Sequence, residues 1–250
     1  MTPEIVNHNT GKNMTRSIHA HRKPTKTDSL KFIRSKGLSV GTIIDVGVQH
    51  KTSELIEVFP DLKHILFEPL EEYHRQIEQA YRSIDYELIK AAVSNENGTA
   101  ILSIGSLVGD TSRITHSSIV ENTTSTPSRN VNKVTLDSFL NDKNYAEPYL
   151  LKIDVDGHEI PILEGASETL KKVSCVVIEA PLGKLSERVN FLMSKGFVLW
   201  DIIDLCYYHG NLSQVDLVFL KQTEKQKKNF NPWYNFQFKW SEWDVLNTRL

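Results

Sequence analysis

The chain has 250 residues, a net charge of -2, 40% hydrophobic and 24% charged residues, the balance of one large globular α/β domain rather than a disordered or fibrous chain. Neither sign of charge dominates, so nothing in the composition favours nucleic acid or an anionic membrane as partner. No apolar run reaches the length of a membrane span or a signal-peptide core, and the two cysteines, Cys175 and Cys206, lie in apolar strand-like runs that suit buried thiols; a cytoplasmic location is expected.

Residues 1–26 are polar and aperiodic and read as a flexible N-terminal arm, 27–222 as the folded domain, and 223–250 as an aromatic tail. Asp28 is placed to cap a short helix that carries Leu30 and Ile33 on one face and stops at Gly37. Thr42-Ile43-Ile44-Asp45-Val46-Gly47 reads as the first core strand, followed by a helix from Thr52 to Phe59. His64-Ile65-Leu66-Phe67-Glu68-Pro69 repeats the pattern, an apolar run closed by an acid and a proline, and a helix spans 70–82. Strands are expected at Tyr86–Val93 and Thr99–Ile104 around an Asn-Gly turn signal. The segment 105–130 is rich in Ser, Thr and Gly and too long for an ordinary connector, which suggests a mobile lid or else simple disorder. A strand at Val131–Thr135 precedes a short helical turn.

Leu150-Leu151-Lys152-Ile153-Asp154-Val155-Asp156-Gly157-His158-Glu159 is the stretch the rest is organised around. Its apolar half reads as a central strand, and its polar half gathers where that strand gives way to a helix running to about Lys172. Asp156 and Glu159 equally suit a plain helix-capping role. Ser174–Glu179 is the next core strand, then a helix at Lys184–Lys195, then strands Phe197–Ile203 and Gln214–Leu220 joined through Tyr207, Tyr208 and His209. The tail carries Phe230, Trp233, Tyr234, Phe236, Phe238, Trp240 and Trp243, a density that suits packing on the body or contact in a homo-oligomer.

Asp45 with Gly47, then Glu68, Asp154 and Glu179, all fall at the exits of core strands, where open parallel sheets bind ligands. A glycine turn after the first strand and an acid after the second suit a ligand carrying a ribose. The loop Gly47-Val48-Gln49-His50-Lys51-Thr52 lacks the later glycines of a dinucleotide fingerprint. A ligand without a pyrophosphate fits better.

These motifs resemble the FkbM-type S-adenosylmethionine-dependent methyltransferases from Thr42 to Leu220. The resemblance is carried by Ile44-Asp45-Val46-Gly47, Phe67-Glu68-Pro69, Ala91-Ala92-Val93-Ser94 with Gly98, Val134-Thr135-Leu136-Asp137, the stretch Leu151–Glu159, and Gln214–Phe219. It implies an α/β, Rossmann-like, seven-stranded class I methyltransferase sheet with helices on both faces and a reversed last strand. It also implies S-adenosylmethionine as cofactor and methylation of a hydroxyl on a sugar, polyketide or related small molecule, with neither nucleic acid nor membrane as partner. Lys51 stands where the family's loop more usually has glycine.

On this reading Glu68 holds the ribose, Asp45 supports the loop and the methionine end, and Ala92 and Val93 flank the adenine. Gly47, Val48, Gln49, Pro69 and Asp154 complete the cofactor contacts. A hydroxyl acceptor needs a base, for which His158 has the most suitable pKa, with Asp154 and Asp156 as alternatives. Asp154, Asp156, His158 and Glu179 are also the candidate donors should a divalent metal take part, a question the spacing leaves open. Tyr207, Tyr208, His209 and Thr111, Ser112 and Arg113 are the expected acceptor-side contacts. Two rival readings remain: a Rossmann-type nucleotide-binding oxidoreductase, and a non-catalytic interaction module on the same fold.

Overall fold

The computed structural model describes residues 22–105, 116–120, 127–225 and 230. In chain order the elements are α1 (Lys26–Ser35), β1 (Thr42–Val46), α2 (Ser53–Val58), β2 (Lys63–Phe67), α3 (Glu71–Ala80), β3 (Tyr86–Ile89), β4 (Ala92–Val93), β5 (Gly98–Gly105), β6 (His116–Val120) and β7 (Ser128–Val134). They continue with α4 (Leu136–Leu140), β8 (Tyr149–Ile153), α5 (Glu159–Glu164), β9 (Val173–Pro181), α6 (Leu185–Ser194), β10 (Phe197–Tyr208), β11 (Asn211–Lys221) and α7 (Gln222–Lys225).

β1 and β8 are buried along their whole length, as apolar runs flanked by strands on both sides must be. They sit at the centre of a seven-stranded sheet ordered β10-β11-β9-β8-β1-β2-β3. β9, β8, β1, β2 and β3 run parallel, and β11 is inserted antiparallel between β9 and β10. Alternate side chains supply the two faces. Ile44, Val46, Leu151 and Ile153 pack with Leu136, Ile162, Leu163 and Leu192 from α4, α5 and α6. Ile43, Leu150 and Val177 pack with Leu30, Ile33, Leu55 and Val58 from α1 and α2. Helices therefore cover both faces, and the carboxyl ends of β1, β2 and β8 share one edge.

A second sheet, ordered β4-β7-β5-β6, stands beside the first. It encloses α3 from the far side, where Tyr73 and Ile77 pack against Ala92, Ala100, Leu102 and Val131. The single strand expected over Tyr86–Val93 is thus two, because the chain leaves the main sheet after Ile89 and β4 pairs with β7 instead. Part of the expected lid is also strand, β6 lying antiparallel to β5. Thr111, Ser112 and Arg113 lie outside the described residues, as do residues 1–21 and every tail aromatic except Phe230. Phe230 is buried and meets Trp200 of β10 with ring centroids 5.7 Å apart.

Three other expectations change. The cap of α1 is Thr25, whose hydroxyl accepts the Asp28 N–H at 3.2 Å; Asp28 sits in the first turn, where its charge still complements the helix dipole. The helix after His158 ends at Glu164 rather than near Lys172, and a 3-10 turn at Thr169–Lys172 follows. Its stop is Gly165, which packs so close to the Ser94 carbonyl that a side chain there would overlap it. Finally, β10 and β11 run on to Tyr208 and from Asn211, joined by His209-Gly210 with φ of 47° and 75°. Positive φ at both central residues is the twist-matched hairpin geometry. The hairpin extends beyond Pro181, the last residue of β9 to pair with it, which leaves Tyr207 and Tyr208 64% and 70% exposed. Cys206 is exposed there, while Cys175 is buried. Among the described residues no helix is long and apolar enough to cross a membrane.

Candidate functional site

β1 is followed by Gly47, whose φ of 83° turns the chain off the sheet. A side chain at that position would overlap the Asp154 carbonyl, so the close approach of the β1 and β8 exits requires glycine. The turn continues through Gln49, also at positive φ, and aims the Gln49 N–H at Glu68 Oε2 at 2.8 Å. Leu70 N–H donates to the other oxygen, Glu68 Oε1, at 2.9 Å. Glu68 is 3% exposed, and burial pushes its carboxyl up to about 7 against the pull of these two amides. Each oxygen keeps a further lone pair, so the group can still accept two hydroxyl donors. It fits a ribose.

Glu68 lies in a cleft of about 650 Å³, including space open to solvent, along the carboxyl edge. It is lined by Gly47, Gln49, Glu68 and Pro69 from the β1 and β2 exits and by Asp154, Val155, Asp156, His158 and Ile162 from the β8 exit and α5. Ala91, Ala92 and Val93, and Leu102 and Ile119 of β5 and β6, complete the lining. Nine of the sequence-derived positions therefore meet in one place: Gly47, Gln49, Glu68, Pro69, Ala92, Val93, Asp154, Asp156 and His158. Val48 does not. Its side chain is buried with Tyr73 and Ile77. The hairpin residues Tyr207, Tyr208 and His209 do not line the cleft either.

Asp45 is fully buried beneath the loop and does not line the cleft. Lys152, its neighbour across the β1–β8 pair, lies with Nζ 3.2 Å from Asp45 Oδ1, an ion pair whose angle falls short of a hydrogen bond. Lys152 also donates to the Gly47 carbonyl at 2.8 Å and stands 3.6 Å from Asp154 Oδ2. Burial opposes its charge, yet Asp45 and Asp154 outweigh burial and hold it protonated. Lys152 thus ties the cleft turn to two strands. A second, more polar cavity beside the turn is lined by Val48, Gln49, His50, Lys51, Glu54, Lys152 and Asp154, so Asp154 faces both spaces.

A second cation enters from the N-terminal side. Asp204 N–H donates to the Pro24 carbonyl at 2.8 Å, and Lys26 at the start of α1 places Nζ 2.8 Å from Asp216, 3.7 Å from Asp154, and 3.8 Å from Glu54 and from Asp204. Burial works against the Asp154 charge, but Lys152 and Lys26 outweigh it and hold the carboxyl below its usual range. Glu179 goes the other way, raised by burial and then by Asp154 beside it. Lys26→Met is expected to lower stability by about 2 kcal/mol at pH 7, since it leaves partly buried carboxylates facing one another. Urea denaturation measures it. Lys26→Arg should recover most of the loss.

His158 is half-buried, with Nε2 2.9 Å from Ser94 Oγ. Burial, and then the charge of Lys133, lowers its pKa, which keeps the imidazole neutral at pH 7. Glu159 turns away from the cleft into a buried ion pair with Arg188 of α6. Asp154, Asp156, His158 and Glu179 do not converge as a ligand set: Glu179 accepts from the Gln214 amide, and His158 faces Ser94. Among the described residues no group of three or more His, Cys, Asp or Glu could hold a metal ion.

A parallel α/β sheet with an antiparallel strand inserted beside its last one, opening into a cleft at the carboxyl ends, is the architecture of a class I methyltransferase. The chain belongs to the FkbM methyltransferase family, the Methyltransferase FkbM domain matching residues 45–199. It is an S-adenosylmethionine-dependent methyltransferase. Comparison with curated proteins gives no significant match. Among solved structures, precorrin-6y C5,15-methyltransferase from Geobacter metallireducens GS-15 is similar at 13% identity and a TM-score of 0.43, covering 77% of this chain and 85% of that one. An rRNA methylase from Streptococcus thermophilus is similar at 13% identity and 0.45, covering 77% and 93%. Magnesium protoporphyrin IX methyltransferase from Synechocystis PCC 6803, with bound cofactor, is similar at 9% identity and 0.44, covering 78% and 77%.

Proposed function

We propose that the protein methylates a hydroxyl oxygen of a small-molecule acceptor in the cleft between Glu68 and His158. The observation that carries this reading is a half-buried imidazole, His158, lining the same cleft as Asp154, Asp156 and Glu68, with Nε2 hydrogen-bonded to Ser94. When bound, S-adenosylmethionine supplies a methyl group on a sulfonium. Glu68 accepts the ribose hydroxyls, Pro69, Ala92 and Val93 hold the adenine, and the polar cavity by Asp154 and Lys51 takes the amino-acid end. His158 takes the hydroxyl proton as the new oxygen–carbon bond forms and the sulfur–carbon bond breaks. With Nε2 engaged by Ser94 Oγ, Nδ1 is the nitrogen left to receive it. The walls exclude water and align the reactants, which supplies most of the rate. Carboxylates outnumber cations along this edge, which disfavours a polyphosphate acceptor such as nucleic acid.

The test is transfer of a labelled methyl group across a panel of sugars, polyketides and other hydroxyl compounds, with retention of label in an acid- and base-stable ether. Label found only on nitrogen or carbon would sink the oxygen assignment. His158→Ala is expected to lower turnover by about a hundredfold or more while leaving the affinity for S-adenosylhomocysteine nearly unchanged. A matched loss in both would make His158 a binding residue instead.

A further inference from the structure

The second sheet reaches the cleft through β4, which carries Ala92 and Val93, and also through two residues that no strand-end pattern marks. Leu102 on β5 and Ile119 on β6 are direct cross-strand partners, so their side chains share one face of the sheet and enter the cleft side by side. Leu102 is 3% exposed and belongs to the same packed cluster as Ala92. Leu102 and Ile119 are therefore carried on the same sheet as Ala92 and Val93 of β4. That sheet is also braced: Arg129 of β7 forms a two-pronged ion pair with Glu72 of α3, at 3.0 and 2.6 Å.

We propose that Leu102 and Ile119 form the outer wall of the adenine slot and determine which purine edges the enzyme accepts, so that β5 and β6 join β4 in the cofactor site. The inference rests on the cofactor placement given above. Leu102 and Ile119 line the same cleft as Pro69, Ala92 and Val93, the residues given to the adenine above. The lining there is apolar, as one face and edge of a flat ring require.

Calorimetry with S-adenosylhomocysteine and two derivatives, benzylated on the exocyclic amine or on the adjacent ring carbon of adenine, tests it. The parent should bind S-adenosylhomocysteine and reject the benzylated forms. Ile119→Ala and Leu102→Ala should each weaken S-adenosylhomocysteine by about fivefold through lost apolar contact. They should also open room for at least one benzylated derivative, so that it binds more tightly to the variant than to the parent. Loosening of the fold would weaken every ligand and could not produce that gain. Unchanged rejection of both derivatives, or unchanged affinity for S-adenosylhomocysteine, overturns the inference and leaves the cofactor placement standing. A parent that binds no S-adenosylhomocysteine overturns both.

Discussion

Glu68→Gln is expected to weaken S-adenosylhomocysteine binding by about a hundredfold or more, because two charge-assisted hydrogen bonds to the ribose are replaced by weaker neutral ones. The variant loses more than charge. Its amide presents N–H groups to one of the two backbone donors, Gln49 or Leu70, that the carboxylate accepts. A pH signature accompanies the loss. Glu68 titrates near 7 in the free protein, and only its ionised form accepts both ribose hydroxyls at full strength. Affinity of the parent should therefore fall about tenfold from pH 8 to pH 6, with a proton released on binding near pH 7 that appears as a buffer-dependent enthalpy. The variant should show neither. Stability runs the opposite way. The folded-state pKa lies above the unfolded value of 4.5, so the folded state holds the proton more tightly and loses stability as pH rises from about 4.5 to 7, by about 3 kcal/mol. Glu68→Gln removes that loss, so its stability relative to the parent should improve between pH 5 and pH 8. A flat parent affinity over pH 6 to 8 would mean that Glu68 is ionised throughout and that the buried position is wetter than it looks.

The edge that gathers the site was legible because its signal is local. A strand buried on both faces has no place for a charge within it, so an acid closing such a run marks the strand's exit. That rule found Glu68 and Asp154, and the glycine after Asp45 found the turn. It misplaced Asp45 itself, since period-two alternation sends that side chain to the opposite face from Val46, under the loop and against Lys152. Lys152 could have been read too: a lysine in the middle of Leu150-Leu151-Lys152-Ile153 needs a buried anion, and Asp45 on the adjacent strand was already in view.

Other parts had no local signal. Lys26 reaches the site through an ion-pair network spread over α2, the exit of β8, β10 and β11, all far from it in sequence. Nothing in a polar lead segment announces that. The second sheet was hidden because β4 has only two residues, and its partner β7 follows the Ser- and Thr-rich segment. The hairpin arm was shortened because the register shift beside Asp204 breaks the alternation, although His209-Gly210 was a turn signal in plain sight.

Glu159 was read beside Asp156 as a helix-start acid, and its actual partner sets up the second large effect. Its carboxylate is fully buried, with one oxygen accepting the Gly157 N–H at 3.2 Å and the other paired with Arg188, itself 2% exposed. Burial raises the Glu159 pKa, and Arg188 is the largest charge holding it down. Arg188→Met should therefore cost about 3–5 kcal/mol at pH 8, chiefly as an uncompensated buried carboxylate rather than as a lost attraction. That origin predicts two further results. The deficit should shrink as pH falls towards 5, because the stranded group takes up a proton and becomes neutral. Combining Arg188→Met with Glu159→Gln should recover more than half of it, since the pair vanishes together. Denaturant unfolding at the two pH values measures both. The same variant carries the strain into the cleft: the Gly157 N–H that Glu159 anchors lies between Asp156 and His158, so the imidazole loses its fixed position before the fold is lost. Arg188→Met should then lower turnover at temperatures where the protein is still folded, with cofactor affinity at Glu68 little changed. A deficit of less than about 1 kcal/mol that is indifferent to pH would show the pair to be hydrated and no anchor for the turn.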